Sequence, residues 1–197
     1  SLSVQDNQGN SPVSVSTTGS VTPLFGPYPF NTDIIFTISN EQDGNCVITS
    51  QAISLAGCPP DNDNPCDATT AVVNDAFLCE VSTPGTLLEA TSSGVPNPSC
   101  GGDPDDDVWY QFTATSDFHL ISLANVQGSN TGDIDFALYE GACDALVEID
   151  CTSGFALLSS ITPQLVVGNT YFIRIFSGSS NSETTTFDLC ITPYEAP

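Results

Sequence analysis

The chain has 197 residues, 24 of them acidic against a single Lys or Arg, giving a formal net charge of −23. Nucleic-acid binding and attraction to an anionic membrane are excluded, because both need a basic footprint that Arg174 alone does not supply. Hydrophobic residues make up 40% and mean hydropathy is +0.05, so the chain can build a core and long disorder is not expected.

In chain order, residues 1–5 read as a strand and the polar run 6–10 as the turn after it. Short β-branched or aromatic runs follow at 13–17, 34–39 and 46–50. That is about five strands by residue 58, whereas an Ig-like sandwich takes about seven strands and ~100 residues. Residues 1–58 are therefore expected to form a small or partial Ig-like β domain with an open edge. The open edge predicts that strand 1–5 is donated to the next subunit. Such head-to-tail β-strand complementation is heterologous and propagates as a filament.

Residues 59–65, in the stretch Cys58-Pro-Pro-Asp-Asn-Asp-Asn-Pro-Cys66, read as an acidic, Pro-rich linker. Residues 66–197 then make a second β module with runs at 108–113, 119–124, 134–139 and 171–176. Alternation assigns the faces. Val108, Tyr110 and Phe112 oppose Trp109 and Gln111, and Ile134, Phe136 and Leu138 oppose Asp135, Ala137 and Tyr139. Arg174 falls with Phe172 and Phe176, opposite Tyr171, Ile173 and Ile175. Segments 66–77 and 141–146 are each expected to hold a helical turn. The fold class is all-β, two sandwich modules in series.

Eight cysteines, no methionine and abundant Ser, Thr, Asn, Gly and Pro place the chain in an oxidising, extracellular compartment. Zinc is disfavoured by the lack of a C-x2-C pair and by a lone histidine, His119. No apolar run approaches the ~20 residues of a membrane span. Without a leader at Ser1, the chain reads as mature or as excised from something longer. It carries no N-x-S/T sequon with an acceptable middle residue.

Catalysis is not expected. A nucleophile needs an adjacent base, His119 is the single histidine, and no G-x-S-x-G element occurs. All eight cysteines, Cys46, Cys58, Cys66, Cys79, Cys100, Cys143, Cys151 and Cys190, are assigned to disulfides, which leaves no thiol nucleophile. Eight cysteines allow 105 connectivities. Local spacing favours Cys143–Cys151 and Cys46–Cys58, with Cys66–Cys190 and Cys79–Cys100 as the guess for the rest. Arg174 is expected in a structural ion pair with Asp107 or Asp188, since one cation among so many acids finds a carboxylate. Trp109 is expected to pack or to face a partner.

The second segment resembles a known family. Asp63-Asn-Pro-Cys-Asp-Ala68 opens it, followed by Ala90-Thr-Ser-Ser-Gly94, Pro98-Ser-Cys100 and Asp107-Val-Trp-Tyr-Gln-Phe112. Asp135-Phe-Ala-Leu-Tyr-Glu-Gly-Ala-Cys143 and Gly168-Asn-Thr-Tyr-Phe-Ile-Arg-Ile175 come next, and Phe187-Asp-Leu-Cys190 closes the module. Over roughly residues 61–192 this order is similar to adhesin-type relatives of the prepeptidase C-terminal (PPC) β-sandwich, a jelly-roll-like module of secreted bacterial surface proteins. The resemblance implies a non-catalytic module for adhesion, targeting or surface architecture.

Some of those relatives bind Ca²⁺ near an acidic entry linker. The acidic runs at 61–64 and 103–107 make Asp61, Asp63, Asp103, Asp105 and Asp107 the candidate ligands here, with Asp133 and Asp135 as a poorer second set. The expected function is a structural or adhesive module, a subunit of a surface filament or tandem adhesin. A second copy or a neighbouring module is the expected partner. The alternative is a carbohydrate- or substrate-binding accessory domain of a secreted hydrolase.

Overall fold

The computed structural model describes residues 1–18, 23–29, 32–54, 57–153 and 158–195. They form two compact units, Ser1–Gly57 and Cys58–Pro197.

In the first unit, β1 (Leu2–Asp6), β2 (Val13–Val15), β3 (Phe36–Asn40) and β4 (Asp43–Thr49) make one antiparallel sheet in the order β2-β1-β3-β4. Leu2 pairs with Val15 on one side and Asn40 on the other. The 1–5 stretch, expected to be donated, is thus a central strand hydrogen-bonded on both sides. Releasing it would break two ladders, so the expectation of N-terminal donation is corrected. Asp6, at the end of β1, takes hydrogen bonds from the Tyr28 hydroxyl at 2.7 Å and from Asn10 Nδ2 at 2.8 Å. Those donors, Asn10 foremost, hold its carboxyl below the usual range, and Tyr28 is pushed up to about 12 by burial and by Asp6. On the free edge, every residue of β4 is exposed.

The second unit is a sandwich. One sheet runs β10-β9-β12-β7-β5, from β5 (Thr69–Thr70), β7 (Val108–Thr113), β9 (Ile134–Ala142), β10 (Ala145–Thr152) and β12 (Thr170–Ser177). The other runs β11-β8-β13-β6, from β6 (Thr83–Thr86), β8 (His119–Gln127), β11 (Ser159–Ile161) and β13 (Thr186–Pro193). Between them lie Val108, Tyr110, Phe112, Ile134, Phe136, Leu138, Ile173 and Ile175 from the first sheet. Ile121, Leu123, Phe187, Leu189 and Ile191 meet them from the second. These are the alternate residues whose period of two predicted the inward face.

The outer face of the five-stranded sheet is also dry. Trp109, Ala137, Tyr139, Phe172 and Phe176 form a second buried cluster, packed against Ala68, Val95, Leu146, Cys143 and Cys151. An antiparallel sheet commonly leaves one face to solvent. Here segment 87–107, which has no regular structure, lies over it as a cover.

Several expectations are revised. Segment 66–77 holds only a 3₁₀ turn, Pro65–Asp67, and 141–146 is the hairpin joining β9 to β10. The expected linker belongs to the sandwich: Asn62 and Asp63 are buried, and Asn62 exchanges hydrogen bonds with the Trp109 backbone at 2.8 and 2.9 Å. The disulfides are Cys66–Cys143, Cys79–Cys190 and Cys100–Cys151, and Cys46 and Cys58 carry free, exposed thiols. Cys143–Cys151 fails because Cys143 sits in the hairpin turn while Cys151 pairs with Ala137, six residues back along β9. That is about 20 Å of strand rise, far beyond disulfide reach. Cys66–Cys190 and Cys79–Cys100 are replaced because Cys66 crosses the covered face to the hairpin and Cys190 holds the loop before β6. The Cys46–Cys58 pairing is likewise not formed: Cys46 lies on β4 of the first unit, and Cys58 opens the second.

Candidate functional site

Most of the residues with chemical potential serve the cover. Arg174, on the outer face of β12, is fully buried. Its Nε donates to Asp107 Oδ2 at 2.7 Å, and its Nη1 and Nη2 donate to the carbonyls of Pro96 at 2.9 Å and Val95 at 3.3 Å. The guanidinium lies 5.4 Å from the Trp109 ring centroid and 5.8 Å from that of Phe176. All three nitrogens of the chain's one arginine are thus committed to one carboxylate and two cover carbonyls.

Asp107 is equally committed. Its Oδ1 accepts the Ser93 amide at 2.7 Å, and its Oδ2 accepts the Ser93 hydroxyl and Trp109 Nε1 as well as Arg174. Asp63 repeats the device two residues earlier on the cover, accepting the amide and hydroxyl of Thr91. Ser99 joins from the cover to Glu148 of β10, and Cys100–Cys151 makes that link covalent. Of the two carboxylates named for Arg174, Asp107 is the partner. Asp188 instead accepts from Asn125 Nδ2.

The five carboxylates named for Ca²⁺ go to separate tasks. Asp63 and Asp107 latch the cover, and Asp61 and Asp103 are exposed. Asp105 is half-buried, and burial raises its pKa. Beside it, Asp106 is pushed up to about 7 by burial, and the neighbouring charges of Asp105 and Glu183 add to the shift. Asp135 is buried on β9, and Asp133 accepts the Gly178 amide at its carbonyl. Among the described residues, no three His, Cys, Asp or Glu side chains form a group able to hold a metal ion.

His119 has a fixed role. It is fully buried, stacked edge-on to Phe112 at 5.4 Å, and its Nε2 accepts the Thr115 amide at 3.2 Å. That bond assigns the proton to Nδ1, and burial lowers the pKa of the ring. The imidazole thereby sets the turn Thr115–Phe118.

This turn leads to the cleft that sequence reasoning missed. At one end of the sandwich, Ser116, Asp117, Phe118, Val167, Tyr194 and Glu195 line a cleft of about 530 Å³. The β8–β13 register sets His119 opposite Pro193, and the Tyr194 amide donates to the Phe118 carbonyl at 2.9 Å. Two half-buried aromatic residues thus sit opposite one another where β8 begins and β13 ends. The loop carrying Val167 is tied down by Leu165 N to Asp117 O at 2.7 Å and Gly168 N to Ala114 O at 2.8 Å. Asp117 and Glu195 are exposed. A cleft on the first unit (Leu2, Ile38, Cys46, Val47, Ile48) and one on the second (Val72, Val73, Asn74, Leu78, Glu80, Val81) are lined without an aromatic side chain.

No curated protein matches the chain. Residues 61–189 match a T9SS-associated family described as galactose binding domain-like. The match supports the secreted β-sandwich expected from the PPC resemblance, under a different family. It covers the sandwich from Asp61 to Leu189 and ends within β13, before Cys190 and before the cleft residues Tyr194 and Glu195. With well over half of its length matched, the chain belongs to this galactose-binding-domain-like family of non-catalytic modules from secreted or cell-surface proteins.

Proposed function

We propose that the chain is a carbohydrate-binding module of a secreted surface protein, with its ligand in the end cleft between Phe118 and Tyr194. The observation that carries this reading is the pairing of two aromatic residues at the adjoining ends of β8 and β13 with exposed carboxylates at the rim. Aromatic faces stack on the C–H faces of a sugar ring, and carboxylates accept its hydroxyls. A ligand site also wants rigid support, and the backbone bonds under Val167 and Tyr194 supply it.

Calorimetry of the intact chain against neutral oligosaccharides tests the reading. Binding should be lost in Phe118→Ala and Tyr194→Ala while the melting temperature moves little, since both side chains are only half-buried. Unchanged binding in both variants would move the ligand elsewhere.

A second reading, adhesive assembly by strand addition, rests on a specific feature. The β4 edge is unpaired, wholly exposed and carries Val47 and Ile48. In that reading β4 is the acceptor edge and the donor is a strand other than β1. Particles larger than a monomer in light scattering, abolished by Val47→Pro, would favour it.

A further inference from the structure

We infer that the end cleft selects a sugar bearing a free amino group, a hexosamine unit, over neutral and anionic sugars. The inference rests on the carbohydrate reading of the cleft and adds its charge preference.

Three observations carry it. First, the cleft pairs its aromatic residues with two carboxylates, Asp117 and Glu195. Among the described residues the Asp117 carboxylate meets a single long contact, from Gln164 at 3.5 Å, which leaves lone pairs for a ligand. Second, no cationic side chain can enter this cleft. The chain has a single Lys or Arg, Arg174, and it is fully buried beneath the cover; the lone histidine is fully buried as well. Uronic acids, sulfated sugars and sialic acids therefore find no counter-charge. Third, the net charge of −23 repels anionic glycans at a distance and concentrates cations near the surface. An ammonium group on a ring stacked against Phe118 or Tyr194 would lie within reach of the rim carboxylates and could also meet an aromatic face.

Because any cation is drawn to so acidic a protein, the test uses ligands with one charge and a remote-charge control. A disaccharide with one free 2-amino group is titrated against its N-acetylated and its 2-hydroxy counterparts. A simple alkyl amine serves as the charge-only probe.

The expected result is that the amino sugar binds about tenfold tighter than the neutral pair at low salt, with the gap closing as salt is raised. The double variant Asp117→Asn/Glu195→Gln should remove that gap and keep the neutral affinity. Glu140→Gln/Asp144→Asn, which removes the same charge from the exposed β9–β10 hairpin, should leave the gap intact.

Equal affinity for amino and neutral sugars would overturn the charge preference and leave the carbohydrate reading standing. No sugar binding at all would overturn both. An alkyl amine or a lysine peptide that binds as well as the amino sugar would overturn the inference in favour of a cationic, non-sugar partner.

Discussion

At the scale of single residues, the Arg174–Asp107 pair is the junction on which the outer face depends. Both groups are fully buried, and each satisfies donors or acceptors on the cover as well as its partner. Removing one member strands a buried charge, which costs about 3–5 kcal/mol. Arg174→Met and Asp107→Asn should therefore each lower stability by that order in denaturant titration. The double variant should lose clearly less than the sum, because neither charge is then left unpaired. Full additivity would show that the pair is not coupled.

Asp106 gives a pH prediction of the opposite kind. Its Oδ1 accepts the Ser177 amide, Oδ2 is buried without a hydrogen bond, and its folded pKa is about 7 against 3.8 unfolded. In that window the folded state holds a proton that the unfolded chain has released, so stability falls as pH rises from about 4 to about 7. Asp106→Asn should be close to neutral at pH 4 and stabilising by on the order of 2–4 kcal/mol at pH 7.5. Melting curves at both pH values check it. A pH-independent difference would mean that Asp106 is ionised throughout.

At the scale of elements, strands and cover obey different rules. Strand faces were legible in the sequence because side chains alternate, so Phe172, Arg174 and Phe176 were grouped correctly before any contact was known. The cover was not legible, because segment 87–107 has no period. What holds it down is a set of side-chain bonds and a disulfide to strands far along the chain. The cleft was hidden for a related reason: Phe118 and Tyr194 meet only through the β8–β13 register, which sequence alone leaves open.

Two element-scale consequences can be measured. Cys100–Cys151 closes a loop with a sequence separation of 51, so Cys100→Ser/Cys151→Ser should lose about 4 kcal/mol in the chain-entropy estimate. Its largest effect should be faster amide exchange at Trp109 and Arg174 beneath the cover. Gly85, on β6, faces the Tyr110 hydroxyl and the Phe187 ring so closely that a Cβ has no room. Gly85→Ala should force that aromatic pair apart, with a loss of about 1–3 kcal/mol read in thermal melts. A variant as stable as the parent would mean that the two rings have free space to move into.

At the scale of the whole molecule, charge and scaffold are separated. Acids crowd the surface while the single arginine is buried beneath the cover, so the fold presents no side-chain cation to solvent. Acidic latches, an ion pair and three disulfides hold the second unit together. Asp63 and Asp107 are the two carboxylates best placed to recruit such an ion, and both already accept hydrogen bonds through each of their oxygens. A bound ion would have to displace Ser93, Thr91 and the guanidinium at once. Excess Ca²⁺ and chelator should therefore give the same melting temperature under oxidising conditions. Reduction should lower it sharply, because the three disulfides each close loops worth about 4–5 kcal/mol in the same entropy estimate. Trypsin, whose only possible site is Arg174 in the covered sheet, should leave the oxidised protein intact and cut it after reduction. A Ca²⁺-dependent rise in melting temperature would require ligands outside the carboxylates placed here. Rapid native cleavage at Arg174 would show that the cover opens far more readily than its bonds imply.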